Sequence, residues 1–74
     1  MFVKTIQGDT TNLYECQHYK SYKENDDFVL EFWDYKMDKH WGLRITPEET
    51  KEHKVSIFVM NDDGQTIDQL FMSR

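Results

Sequence analysis

The sequence predicts a mainly β fold, either a six-stranded antiparallel meander sheet or a small barrel. Three observations carry that expectation. Val, Ile, Thr, Phe, Tyr and Trp supply 25 of the 74 residues, and there is no alanine; β-branched and aromatic side chains suit a pleated surface, whereas alanine is the best helix former. Apolar segments of strand length are separated by polar punctuation. The run Asn61-Asp62-Asp63-Gly64 fits a type I turn closed by a glycine in a left-handed G1 bulge, a strong hairpin signal.

The expected strands are residues 2–7, 13–20, 28–36, 41–46, 55–60 and 66–72. Gly8-Asp9 and the Thr-Thr-Asn that follows end the first. Residues 23–27 form a charged loop before the third. Thr46-Pro47-Glu48-Glu49 carries a capping residue, a proline suited to the first helical position and the Glu of a capping box, so a short helix is expected near residues 47–53. It holds no apolar residue and cannot cover a sheet face.

A two-residue loop at Asp38-Lys39 would pair Met37 with His40, Tyr35 with Gly42, Trp33 with Arg44 and Phe32 with Ile45. One face then carries Phe28, Leu30, Phe32, Trp41, Leu43 and Ile45. The other carries Val29, Trp33, Tyr35, Met37 and Arg44, with Arg44 over Trp33 in a cation–π contact and Tyr35 over the bare backbone of Gly42. The Gly64 turn pairs Val59 with Ile67, Ile57 with Gln69 and Val55 with Phe71. It puts Val55, Ile57, Val59, Ile67 and Phe71 on one face, and Ser56, Phe58, Met60, Asp68, Leu70 and Met72 on the other.

Both hairpins therefore bear apolar side chains on both faces, where a half-exposed antiparallel sheet alternates apolar and polar. Three explanations compete. The sheet folds over into a barrel or sandwich; the second face binds a partner or a second copy; or a one-residue register slip has exchanged the faces.

The chain reads as a single small domain over residues 1–74, with a stability of roughly 3–5 kcal/mol unless something adds to it. Its single cysteine, Cys16, cannot form an intramolecular bridge, which suits a reducing compartment. The first seven residues have no apolar run long enough for a secretion signal or a membrane span, so the expected location is the cytoplasm, with no membrane partner. The formal charge is −5, and the nine Lys and Arg residues form no cluster. Phosphate backbones are bound by clustered positive charge, so nucleic acid is not an expected partner.

Catalytic and metal chemistry is weakly marked. Cys16 and His18, two residues apart, could pair as nucleophile and base, but nothing marks an orienting group or an oxyanion site. His40 beside a turn and His53 in a polar stretch read as ordinary surface histidines. One Cys and three scattered His do not give zinc spacing. Matching Gly64 to the glycine of a calcium loop puts Val59 and Leu70 where oxygen ligands are required. Asp34 falls on the core side of its strand, and solvation at the strand end accounts for it. No phosphate-binding loop, dinucleotide fingerprint or nucleophile elbow occurs. No enzyme activity, cofactor or metal is expected.

The expected function is a non-enzymatic interaction domain that binds itself or a protein partner. Its aromatic and Met-rich sheet surface would comprise Trp33, Tyr35, Met37, Arg44, Phe58 and Met60, residue types enriched at interfaces. Two alternatives stand beside it. One is a small barrel binding a ligand or single-stranded nucleic acid on exposed aromatics. The other is an acidic DNA mimic using residues 24–27, 48–52 and 62–63.

Overall fold

Seven strands and one short helix follow one another along the described residues: β1 (Phe2–Gln7), β2 (Thr10–Glu15), β3 (His18–Glu24), β4 (Asp27–Asp34), β5 (Lys39–Ile45), α1 (Pro47–Glu52), β6 (Val55–Met60) and β7 (Thr66–Met72). The computed structural model describes residues 1–73. The strands form two antiparallel sheets, of order β2-β1-β6-β7 and β3-β4-β5. The mainly β, antiparallel expectation holds, with two sheets facing each other and no closed barrel. No helix among the described residues is long and apolar enough to cross a membrane.

The first sheet joins the two ends of the chain. Hairpins β1–β2 and β6–β7 dock through the β1–β6 ladder, in which Val3 lies beside Val59 and Thr5 beside Ile57. The second sheet is the meander between them. Strand periodicity of two sends Val3, Val55, Ile57 and Val59 to the inner face of the first sheet, and Phe28, Leu30, Phe32 and Ile45 to that of the second. All eight are buried. Aromatic contacts span the sheets at both flanks, Tyr14 to Phe32 at 5.3 Å and to Trp41 at 5.6 Å, and Phe28 to Phe71 at 5.0 Å.

The expected strand over residues 13–20 is two strands. The chain changes sheets at Cys16-Gln17: the Cys16 amide donates to Met1 O and the Gln17 amide to Trp33 O, each at 2.9 Å. Cys16 is fully buried at this crossing. The expected loop over residues 23–27 is instead a tight turn at Asn25-Asp26 between the paired Glu24 and Asp27. Asn25 takes a φ of 57° there, a conformation that Asn tolerates better than most residues.

The β4–β5 register also differs from expectation. Strand β4 ends at Asp34 and β5 begins at Lys39, so Trp33 pairs with His40 and Val29 with Arg44. The buried Asp34 carboxylate explains the longer turn. Its Oδ1 accepts from the amides of Lys36 at 3.1 Å and Met37 at 3.4 Å, and Asp38 closes the turn at a φ of 52°. Asp34 thus organises the turn; strand-end solvation does not account for it. The change of pairing is an even number of residues, so each side chain keeps its expected face.

In the last hairpin the Gly64 turn is as expected. Gly64 has a φ of 83°, and Asn61 Oδ1 accepts from the Asp63 and Gln65 amides. Two irregularities then shift the register, between Val59 and Met60 and between Ile57 and Phe58, so that Ile57 pairs with Phe71. Leu70 consequently packs on the core together with Phe71, while Ile67, expected inside, is 56% exposed. Helix α1 forms as expected, with Thr46 Oγ1 accepting from the Glu49 amide at 3.3 Å. It buries no residue.

Ile57→Val removes one methylene from the centre of this core and is expected to cost about 0.5–1.5 kcal/mol, whereas Leu30→Ala should cost about 2–5 kcal/mol. Urea unfolding midpoints check both; an unchanged midpoint for Leu30→Ala would contradict this packing.

Candidate functional site

Two sheets enclose one interior, so each also turns a face outward. On the β3-β4-β5 sheet the outward residues are His18, Lys20 and Tyr22 of β3, Val29, Glu31 and Trp33 of β4, and His40, Gly42 and Arg44 of β5. These side chains satisfy one another. Trp33 lies between two imidazoles, that of His40 stacked at 4.7 Å with an interplanar angle of 2° and that of His18 at 5.0 Å. Glu31 sits 3.4 Å from both Lys20 Nζ and His40 Nε2.

Arg44 does not reach Trp33. Its guanidinium donates to Asp27 at 2.9 Å and to Glu24 at 3.2 Å, and these hydrogen bonds raise its pKa further. The expected Arg44–Trp33 cation–π contact is therefore absent, because the longer turn moves Arg44 opposite Val29. Nor does Tyr35 cover Gly42: Glu31 is its cross-strand neighbour. Two carboxylates of the expected DNA-mimic surface, Glu24 and Asp27, are engaged by Arg44.

The outer face of the β2-β1-β6-β7 sheet is different. It carries Thr11, Leu13 and Glu15 of β2, Phe2, Lys4 and Ile6 of β1, Ser56, Phe58 and Met60 of β6, and Thr66, Gln69 and Met72 of β7. Phe2 is the cross-strand neighbour of Met60, and Lys4 that of Phe58. The β1 and β6 side chains are half-buried among themselves, while Leu13 and Met72 are each 58% exposed. No described element of the chain lies over them. An apolar patch of this kind, with Phe2, Ile6, Leu13 and Phe58 around Lys4 and Met60 beside Phe2, marks an interaction surface more often than an isolated exposed residue does.

Tyr35 and Met37, at 65% and 61% exposure, project from the β4–β5 turn. That turn is held near the end of β2, where the Tyr35 amide donates to Gln17 Oε1 and Lys36 Nζ lies 3.3 Å from Glu15. The expected interface residues are thus in three places. Phe58 and Met60 share the apolar face, Tyr35 and Met37 share the turn near β2, and Trp33 and Arg44 lie on the opposite side of the sandwich. Phe2, Ile6 and Leu13 belong to the apolar face as well; no local turn signal in the sequence pairs the first two strands, so only the structure joins these residues to it.

The Cys16–His18 pair does not assemble. Cys16 is buried in the core, and His18 packs against Trp33 in a tilted contact at the outer face of the other sheet. Burial pushes the Cys16 thiol pKa up; the N-terminal ammonium opposes this, and the Asp34 and Glu15 carboxylates add to it. A thiol held neutral is a poor nucleophile. Among the described residues no group of three or more His, Cys, Asp or Glu could hold a metal ion. A groove lined by Gln7, Gly8, Asp9, Thr10, Glu49, His53 and Val55 runs beside α1. It offers no paired nucleophile and base.

Compared with known proteins, the chain matches no family model, no curated protein and no solved structure.

A folded-state thiol pKa above its unfolded value stabilises the fold fully below the unfolded pKa, about 8.5, and the contribution is lost as pH rises through the folded value. Stability should therefore fall above about pH 8.5, with Tyr19, also raised by burial and by its hydrogen bond to Asp68, adding to the fall at higher pH. Denaturant midpoints measured against pH check this. Cys16→Val should flatten the first part of the decline, and an identical profile would contradict the buried, neutral thiol.

Proposed function

We propose that this protein is a small interaction domain that acts by binding a protein surface, either a second copy or another chain, through its β2-β1-β6-β7 sheet. The observation that carries this reading is the uncovered apolar face of Phe2, Ile6, Leu13, Phe58, Met60 and Met72. Phe and Met are suited to such a surface, giving large contact area with adaptable shape. The opposite face supports it by contrast. There Trp33, His18, His40, Glu31 and Arg44 find partners within the chain, and Tyr22 is the large side chain left exposed. The Trp33 ring is stacked on one imidazole and packed against a second, which hinders stacking of a base on it.

Phe58→Asp puts a charge in the middle of the proposed contact and should weaken any measured assembly about tenfold or more, corresponding to about 1.4 kcal/mol or more. Trp33→Ala should change assembly much less. Light scattering across a concentration series, with circular dichroism as the folding check, reads both. Equal assembly by wild type and Phe58→Asp would refute the role of this face.

A further inference from the structure

A sheet edge presents unpaired N–H and C=O groups, and proteins normally guard such edges with charge, bulges or covering structure. The two sheets have four edge strands, β2, β7, β3 and β5, and three carry guards. Strand β7 has two register irregularities. Strand β3 carries Lys20, Lys23 and Glu24, and β5 carries Lys39 and Arg44 around Gly42. In addition, the Tyr19 hydroxyl ties β3 to Asp68 of β7 at 3.1 Å. Strand β2, Thr-Thr-Asn-Leu-Tyr-Glu, pairs with β1 without a bulge. It has no Lys, Arg, Pro or Gly, and its one charge is at its end.

Two hydrogen bonds fix which β2 groups face outward. The Cys16 amide donates to Met1 O on the β2 side of β1, and the Gly8 amide donates to Lys54 O on the β6 side. In an antiparallel ladder the bonded pairs alternate. Even-numbered residues of β2 therefore bond to β1, and Thr11, Leu13 and Glu15 direct their backbone groups to the open edge.

We infer that the occupant of this edge is a second copy of the chain, paired antiparallel through β2 about a two-fold axis at Leu13. The inference rests on the reading above of the chain as an interaction domain. The argument is self-complementarity, which an isologous contact requires. With Leu13 opposite Leu13, Thr11 falls opposite Glu15 and Glu15 opposite Thr11. All three outward-facing residues then find outward-facing partners, giving about six new backbone hydrogen bonds. No carboxylate meets a carboxylate, which matters for a chain of formal charge −5. The Leu13 side chains meet on the apolar face, and the two four-stranded sheets become one continuous eight-stranded sheet.

The test measures solution mass by sedimentation equilibrium over a dilution series, with four variants. Wild type should show a concentration-dependent dimer. Leu13→Lys, an edge-guarding charge, should weaken it about tenfold or more with unchanged circular dichroism. Under oxidation Leu13→Cys should give a disulfide-linked dimer, because the Cα separation across a bonded pair, about 5.5 Å, lies within disulfide reach. Thr11→Cys should not link to itself, since it faces Glu15. A wild-type monomer at every concentration overturns the inference, as does self-linking of Thr11→Cys as readily as of Leu13→Cys. A dimer dissolved by Phe58→Asp but not by Leu13→Lys also overturns it, while leaving the apolar-face reading intact. A dimer dissolved by Leu13→Lys but not by Phe58→Asp does the reverse.

Discussion

Every strand has two faces, and this chain makes only one interior. That constraint governs the rest of the structure. The core is the layer between the sheets, filled by Val3, Leu30, Phe32, Ile45, Val55 and Ile57 and bridged at its flanks by Tyr14 and Phe71. Helix α1, Pro-Glu-Glu-Thr-Lys-Glu, buries nothing and adds no second layer. Whatever apolar surface the outer positions carry must be settled by the outer side chains themselves or by something beyond the chain.

The two outer faces settle it differently. On the meander sheet, polar and aromatic groups are interleaved so that each has a neighbour: imidazole, indole, imidazole in one row, and carboxylate between ammonium and imidazole in the next. These exposed ion pairs contribute little individually, on the order of 0–1 kcal/mol. Their effect is to leave the surface self-contained. On the terminal-hairpin sheet Phe2, Ile6, Leu13 and Phe58 surround Lys4, with Met60 beside Phe2 and with Thr11, Glu15, Ser56, Thr66 and Gln69 at the margin, and the sheet ends at the open edge of β2. One face is finished within the chain, and the other is the one we propose to be completed from outside it.

Much of this was legible in the sequence because strand periodicity is robust to errors of an even number of residues. The real turn is longer than a two-residue Asp38-Lys39 loop, yet Phe28, Leu30 and Phe32 still share a face with Leu43 and Ile45. What misled was the Asp34 carboxylate, which bonds two amides of the turn and lengthens it, an effect that depends on burial and not on turn propensity. The last hairpin was right at Gly64 and wrong beyond Met60, since its irregularities involve no Gly or Pro that would announce them. The crossing at Cys16-Gln17 was hidden for the same reason. Without it β1 and β2 had no register, so Leu13 and Phe2 could not be joined to Phe58 and Met60. Strand pairing is legible where local turn chemistry fixes it and hidden where a sheet boundary decides it.

Hydrogen exchange along β2 reads the central claim most directly, because it reports separately on the two sets of amides. In dilute solution Asn12 and Tyr14, bonded to β1, should exchange slowly, while Thr11, Leu13 and Glu15 exchange at near-solvent rates. On concentration the second set should become protected and the first should not change. Thr11, Leu13 and Glu15 amides that stay unprotected while the mass doubles, or that are protected at every dilution of a monomer, would contradict the account of β2 as an open edge that pairs with its own copy.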